Sequence, residues 1–300
     1  VNSCFAMEKK IAHICYCEYK YFLNKTNVVG VAFGNKIKGG FYTCQKCITV
    51  FVNKKLSKNS ICQEDIIPQT YNGIITDVVQ IGRPELCSLT KKIRPVKGGY
   101  SIGVDNLESG TMGCLVADSR KDYILTCNHV IAGNSPSGLK KVVVQPAPKY
   151  GGKAPKDVVG MVSEFIPVKK EGEENLEDAA LVETDRSKAS IDIAFKGVIN
   201  GIDMVRLGQI VEKVGATTEL TNGVVENINA TLKINFLGKE VIFKNQIITT
   251  KMYNKGDSGS ILLSASKKAL GLLMADTNSI SIFNNINNVL NTLEVYILRN

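Results

Sequence analysis

The chain has 300 residues, 44% of them hydrophobic, enough for one large domain or two of moderate size. No apolar run approaches the ~20 residues of a membrane span, and the first ten residues lack the order of a secretory signal, so the expected location is cytoplasmic. The net charge of +9 comes from scattered lysines with no interleaved aromatic stripe, which argues against nucleic acid as a partner.

The first 82 residues read as a small α+β module. Residues 7–24 pattern as a helix, against the grain of their aromatic and β-branched content. Strands are expected over 28–33 and 48–52, separated by a turn at Gly39-Gly40, with a third over 74–81. Residues 83–97 carry Pro84 and Pro95, lead into Gly98-Gly99 and read as a linker.

From residue 98 onward short apolar runs alternate with Gly, Asn and Asp turns. The runs fall at 113–117, 123–126, 141–145, 178–182, 204–207, 247–249, 260–263 and 271–275. Many short strands with little helix point to a sandwich or barrel. Phe283, Ile286, Val289, Leu290 and Leu293 recur at helical spacing, so an amphipathic helix is expected to close the chain.

Nine cysteines lie between Cys4 and Cys127, an odd count at irregular spacing that argues against a disulfide framework. Cys15, Cys17, Cys44 and Cys47, with His13 nearby, offer a structural zinc site. The favoured alternative is buried thiols on strand faces and in a hairpin turn, with no metal.

Catalytic chemistry is concentrated in two short stretches. Gly256-Asp257-Ser258-Gly259-Ser260 holds a serine in a glycine-flanked turn, and Leu125-Thr126-Cys127-Asn128-His129 ends an apolar strand on a histidine. A serine hydroxyl is a poor nucleophile unless a neighbouring base takes its proton. The chain has two histidines, and His129 is the expected base; His13 has no partners in view. Asp178, heading the run Ala179-Ala180-Leu181, is the expected carboxylate that orients the imidazole. Gly256 permits a turn that aims the amides of Gly256 and Ser258 at a developing oxyanion, and Gly259 permits close approach of substrate. This chemistry needs no cofactor.

These motifs resemble those of chymotrypsin-fold (trypsin-like) serine peptidases: Thr126 to Val130 stands for the histidine motif, Asp178 to Leu181 for the aspartate motif, and Gly256 to Ser260 for the serine motif. The closer similarity is to bacterial trypsin-like proteins related to the plant Narrow Leaf family, through the strand from Val28, Ile66-Ile67-Pro68, Thr76-Asp77-Val78, Gly98 to Gly103, Lys213-Val214-Gly215 and Thr221 to Val225. The resemblance implies a mainly β fold of two packed six-stranded antiparallel β-barrels over 98–300, with a C-terminal helix. It implies a serine endopeptidase acting on a protein or peptide substrate through His129, Asp178 and Ser258.

Met252 stands where trypsin has its specificity aspartate, and Met274, Ala275 and Asp276 are expected to wall the substrate pocket, with Asp276 as a weak attractor for a basic side chain. Glu219 replaces a glycine usual in relatives. Asp257 stands where trypsin-type enzymes receive a newly freed N-terminal ammonium, which suggests activation by cleavage after Lys97; pairing with a lysine or an amide is the competing expectation. Relatives suggest a homo-oligomer. A catalytically weak peptide-binding or oligomerisation scaffold is the alternative function. Cleavage of one dedicated partner in a bacterial stress or defence pathway is a third.

Overall fold

Residues two apart on a strand face the same way, and that rule builds the first unit. Ile48 and Val50 on the strand Phe41–Val52 meet Ile11 and Ile14 of the helix Asn2–Cys17, with Phe22 and Ile74 completing a small core. In the computed structural model, which describes residues 2–84, 88–170 and 172–299, the chain divides into units Val1–Cys87 and Ser88–Asn300. The first unit is a four-stranded sheet in the order Val28–Lys38, Phe41–Val52, Ile74–Gln80, Thr70–Tyr71. Gly39 and Gly40, both at positive φ, make the hairpin turn between its first two strands. The expected helix is present in two pieces, Asn2–Cys17 and Tyr19–Leu23.

The second unit has the two-barrel architecture of the chymotrypsin-like fold. One sheet has six antiparallel strands in the order Val142–Val144, Val158–Phe165, Ala180–Thr184, Asp122–Thr126, Cys114–Ala117, Tyr296–Ile297. The other runs Lys239–Thr250, Glu219–Phe236, Ile210–Gly215, Ile261–Ser264, Ala269–Asp276, Ile280–Asn285. The last of these pairs back onto Lys239–Thr250 and closes the ring, while the short Glu174–Asn175 adds in parallel at its side as a seventh strand. Closure leaves the ring with no open edge.

Three expectations change in detail. The linker expected at 83–97 is in part core: Leu89 and Val96 are buried, and Val96–Gly98 pairs in parallel with Ala189–Ile193. Residues 85–87 lie outside the described residues. The run at 204–207 forms no strand; Met204 and Leu207 are 75% and 63% exposed, so nothing fixes them to a sheet. The terminal helix is Ile286–Thr292, started by Asn285 accepting from the N–H of Asn287 at 3.0 Å. Phe283 belongs to the preceding strand, and Ile286, Val289, Leu290 and Leu293 pack into the main core.

Candidate active site

Sheet register brings the first two site residues together. Ala180 pairs with Thr126 and Leu181 with Leu125, so the residues just outside these paired ends, Asp178 and His129, emerge side by side. His129 lies on the one-turn helix Asn128–Ile131. Its main-chain N–H donates to Asp178 Oδ1 at 3.1 Å, and its ring Nδ1 is hydrogen-bonded to Asp178 Oδ2. Asp178 is fully buried, while the His129 ring keeps a sixth of its surface in a cleft. Burial pulls the imidazole towards its neutral form, but the charge and hydrogen bond of Asp178 outweigh it and leave the His129 pKa raised.

Asp178 is itself held by the second barrel. Its N–H donates to Asn284 Oδ1 at 2.9 Å, Asn284 Nδ2 donates to Gln246 Oε1 at 2.8 Å, and Gln246 Nε2 donates to the Leu176 carbonyl at 2.8 Å. Asn284 and Gln246 are fully buried. Neither stands out in sequence, because their partners are reached only across the fold.

The serine sits in the predicted turn. Gly256 and Gly259 take φ of 108° and 96°, and a Cβ on Gly259 would stand 2.4 Å from the Thr111 carbonyl oxygen. Thr111 ties the first barrel to the turn: its N–H donates to the Ser258 carbonyl and its hydroxyl to the Gly256 carbonyl, both at 2.8 Å. The N–H groups of Asp257, Gly259 and Ser260 are each consumed by a carbonyl. Those of Gly256 and Ser258 have no acceptor among the described residues, which leaves two donors on this turn for a ligand.

Asp257 is engaged without any freed terminus. Lys213 Nζ stands 3.0 Å from Asp257 Oδ2, with both side chains at 0% exposure. The Thr218 hydroxyl and the N–H groups of Thr217, Thr218 and Asn254 also donate to that carboxylate, at 2.7–3.1 Å. Burial lowers the Lys213 pKa, and Asp257 offsets part of that effect. The main chain after Lys97 is equally occupied: a Cβ on Gly98 would stand 2.3 Å from the Gly113 carbonyl oxygen. Pairing of Asp257 with a lysine is therefore the arrangement found.

A cleft of about 540 Å³ is lined on one side by His129 and Asp178 and on the others by Phe236, Tyr253, Met274, Ala275 and Asp276, among others. Phe236 meets the His129 ring edge-on, 6.2 Å between centroids. The hydroxyls of Tyr253 and Ser258 are in hydrogen-bond contact at 3.3 Å, and burial raises the Tyr253 pKa to about 12. Among the described residues Ser258 Oγ bonds to Tyr253 and not to His129. Sequence reasoning had no signal for Tyr253.

Two pocket expectations need correction. Met252 does not line the cleft; it is 2% exposed and packs in the second barrel with Val211, Val225 and Leu273. Asp276 does line it, but Lys251 Nζ sits 2.7 Å from its carboxylate and already balances its charge. Glu219, expected in a turn, is the first residue of the strand Glu219–Phe236, paired with Gly215 just after the turn, and keeps a positive φ of 56°.

The zinc expectation finds no support in unit 1. Among the described residues the one group bringing three ligand atoms within 4.8 Å of one another is Cys127, His129 and Asp178. There the Cys127 thiol donates to the Leu273 carbonyl at 3.1 Å, and burial followed by the Asp178 charge drives its pKa well up, so it stays protonated. His13 is near Glu18, at 4.0 Å.

No protein-family model matches the chain, and no curated protein sequence does either. Solved structures do. The chain is similar to Thermobifida fusca protease A, at 19% identity with a TM-score of 0.52, over 68% of this chain and 98% of that one. It is likewise similar to the chymotrypsin of Cellulomonas bogoriensis, at 16% identity and a TM-score of 0.52, over 68% and 99%. A serine protease specific for glutamic acid matches at 20% identity and a TM-score of 0.51, over 68% and 100%. The fold is thus that of chymotrypsin-like serine proteases.

Proposed function

We propose that this chain is a serine endopeptidase that uses His129, Asp178 and Ser258. The observation that carries the reading is the His129–Asp178 pair: a buried carboxylate fixes the imidazole through Nδ1 and leaves Nε2 for the cleft, which Tyr253, the hydrogen-bond partner of Ser258, also lines. Ser258 Oγ leaves Tyr253 by a change of χ1 rotamer, gives its proton to Nε2 and attacks the substrate carbonyl. The bond from Oγ to carbon forms as the carbonyl π electrons move to oxygen. The resulting oxyanion is taken up by the N–H groups of Gly256 and Ser258, where one donor is worth about 3 kcal/mol of barrier. His129 then returns the proton to the departing amine, and a water activated by the same ring hydrolyses the acyl-enzyme.

The Lys213–Asp257 pair supports activity of the uncut chain, because a buried cation already occupies the place a new terminus would take. The substrate is a protein or peptide. The relation to bacterial proteins of the Narrow Leaf kind and a homo-oligomer belong to the same reading, and rest on the resemblance of the sequence motifs. A second reading, a weak or inactive peptide-binding scaffold, is favoured by one observation, the contact of Ser258 with Tyr253 in place of His129.

Peptide hydrolysis by the wild type and by Ser258→Ala decides between them. In a triad protease of unrelated fold, loss of the serine or histidine costs about 10⁶ in kcat. Turnover that vanishes in the variant supports the peptidase. Peptide capture without turnover by the wild type supports the scaffold.

A further inference from the structure

We infer that a second pocket beside the catalytic cleft is a subsite for an acidic side chain of the substrate; this rests on the peptidase reading and specifies the substrate class. The pocket encloses about 350 Å³. Its floor is apolar, made by Val168, Phe236 and Val241 of one buried cluster. Its wall is fixed by Asn134, whose Oδ1 accepts from the Val168 N–H at 2.8 Å and whose Nδ2 donates to the Val168 carbonyl at 2.9 Å. Asn128 Oδ1 in turn accepts from the Asn134 N–H at 2.9 Å.

Charge in this pocket has one sign. Lys169, Lys170 and Lys239 line it, and no aspartate or glutamate does among the described residues. Two of the described acids near in sequence are paired with lysines that do not line this pocket. Glu240 pairs with Lys233 at 2.9 Å and Glu174 with Lys244 at 3.1 Å. Glu173 is exposed, and its N–H donates to the Lys170 carbonyl. The catalytic cleft differs: Glu108 is answered by Lys255 at 2.6 Å and Asp276 by Lys251 at 2.7 Å. Among the described residues, the charged lining of the second pocket is thus lysine alone, whereas that of the cleft has both signs.

Phe236 and Leu237 line both cavities, so one side-chain wall separates them. An extended peptide advances roughly 3.3 Å per residue. A chain bound across Ser258 thus reaches the second pocket within a few residues. A glutamate there lays its methylenes on Val168 and Val241 and its carboxylate among the ammonium groups, which suits its two-part chemistry better than it suits lysine or leucine.

Cleavage-site profiling of a peptide library, followed by matched fluorogenic peptides bearing Glu or Gln at the position found, tests this. The expected result is enrichment of Asp and Glu at one position a few residues from the cut. The Glu peptide should show a kcat/KM roughly tenfold above its Gln twin at low salt, shrinking as salt screens the charges. In Lys169→Glu/Lys170→Glu/Lys239→Glu the order should invert, while labelling of Ser258 by a small neutral fluorophosphonate stays unchanged. Equal rates for the pair, or cleavage of neither, overturns the subsite. Probe labelling in the same preparation then shows whether the peptidase reading survives without it.

Discussion

The main-chain N–H of Asp178 donates to Asn284 Oδ1 at 2.9 Å, so a strand of the second barrel holds the residue that orients His129. Asn284 is itself pinned by Gln246, and both amides are fully buried. Position of the carboxylate is thereby set from outside the segment that carries it.

Truncating Asn284 tests that arrangement. Asn284→Ala leaves the Asp178 N–H and Gln246 Oε1 without the partners they have here, at a cost of about 1–3 kcal/mol for each buried group left unsatisfied. Beyond lost stability, we expect kcat to fall with KM little changed, and the acid limb of the pH–rate profile to move to lower pH as the Asp178–His129 bond loosens. A drop in melting temperature with an unmoved profile would make Asn284 purely structural.

Lys213→Met strips Asp257 of its buried counter-charge. Removing one partner of such a pair costs about 3–5 kcal/mol, because the other stays buried and uncompensated. Urea unfolding should show that loss. The Ser258 turn, which shares Asp257, should lose reactivity under conditions where the variant remains folded. Intact mass of an active preparation checks the companion point: full activity in an uncut chain is the expected outcome.

The pH dependence follows from His129. In the proposed mechanism neutral imidazole accepts the Ser258 proton, and Asp178 raises the ring's pKa above its ordinary 6.5, so the protonated form persists to higher pH. The rate should fall as pH drops through that raised value. The pair's contribution to stability has the opposite course, complete below 6.5 and lost as pH rises through the folded-state value. Asp178→Asn should shift the acid limb down and cut kcat by about 10⁴. Stopped-flow rates over a pH series measure both.

Tyr253→Phe removes the hydroxyl that Ser258 contacts. With that partner gone, Oγ is left to His129, and labelling by a fluorophosphonate should proceed at least as fast as in the wild type. A tenfold fall would instead make the phenol a productive partner of the nucleophile.

How much of this was legible in the chain depended on where each residue's partner lies. Ser258 announces itself through local backbone needs, since Gly256 and Gly259 both require positive φ. His129 and Asp178 end and head apolar runs, so their pairing follows once the strands are aligned. Lys213, Asn284 and Gln246 look like ordinary polar strand residues, and only the closed second barrel turns them inward. Counting back from Ser258 gives the place of Met252 in the chain but not the side to which its thioether points. The long strand Glu219–Phe236 escaped notice for a related reason: its outward face carries Asn, Lys and Glu, and its register shifts break the alternation.

Intact-protein and tandem mass spectrometry after fluorophosphonate treatment, run on the wild type and His129→Ala, tests the central claim most directly. The account predicts one adduct, on Ser258, formed at least a thousandfold more slowly when the imidazole is gone, in keeping with the ~10⁶ loss seen for histidine removal in turnover. No adduct, an adduct on another residue, or an undiminished rate in His129→Ala would contradict it.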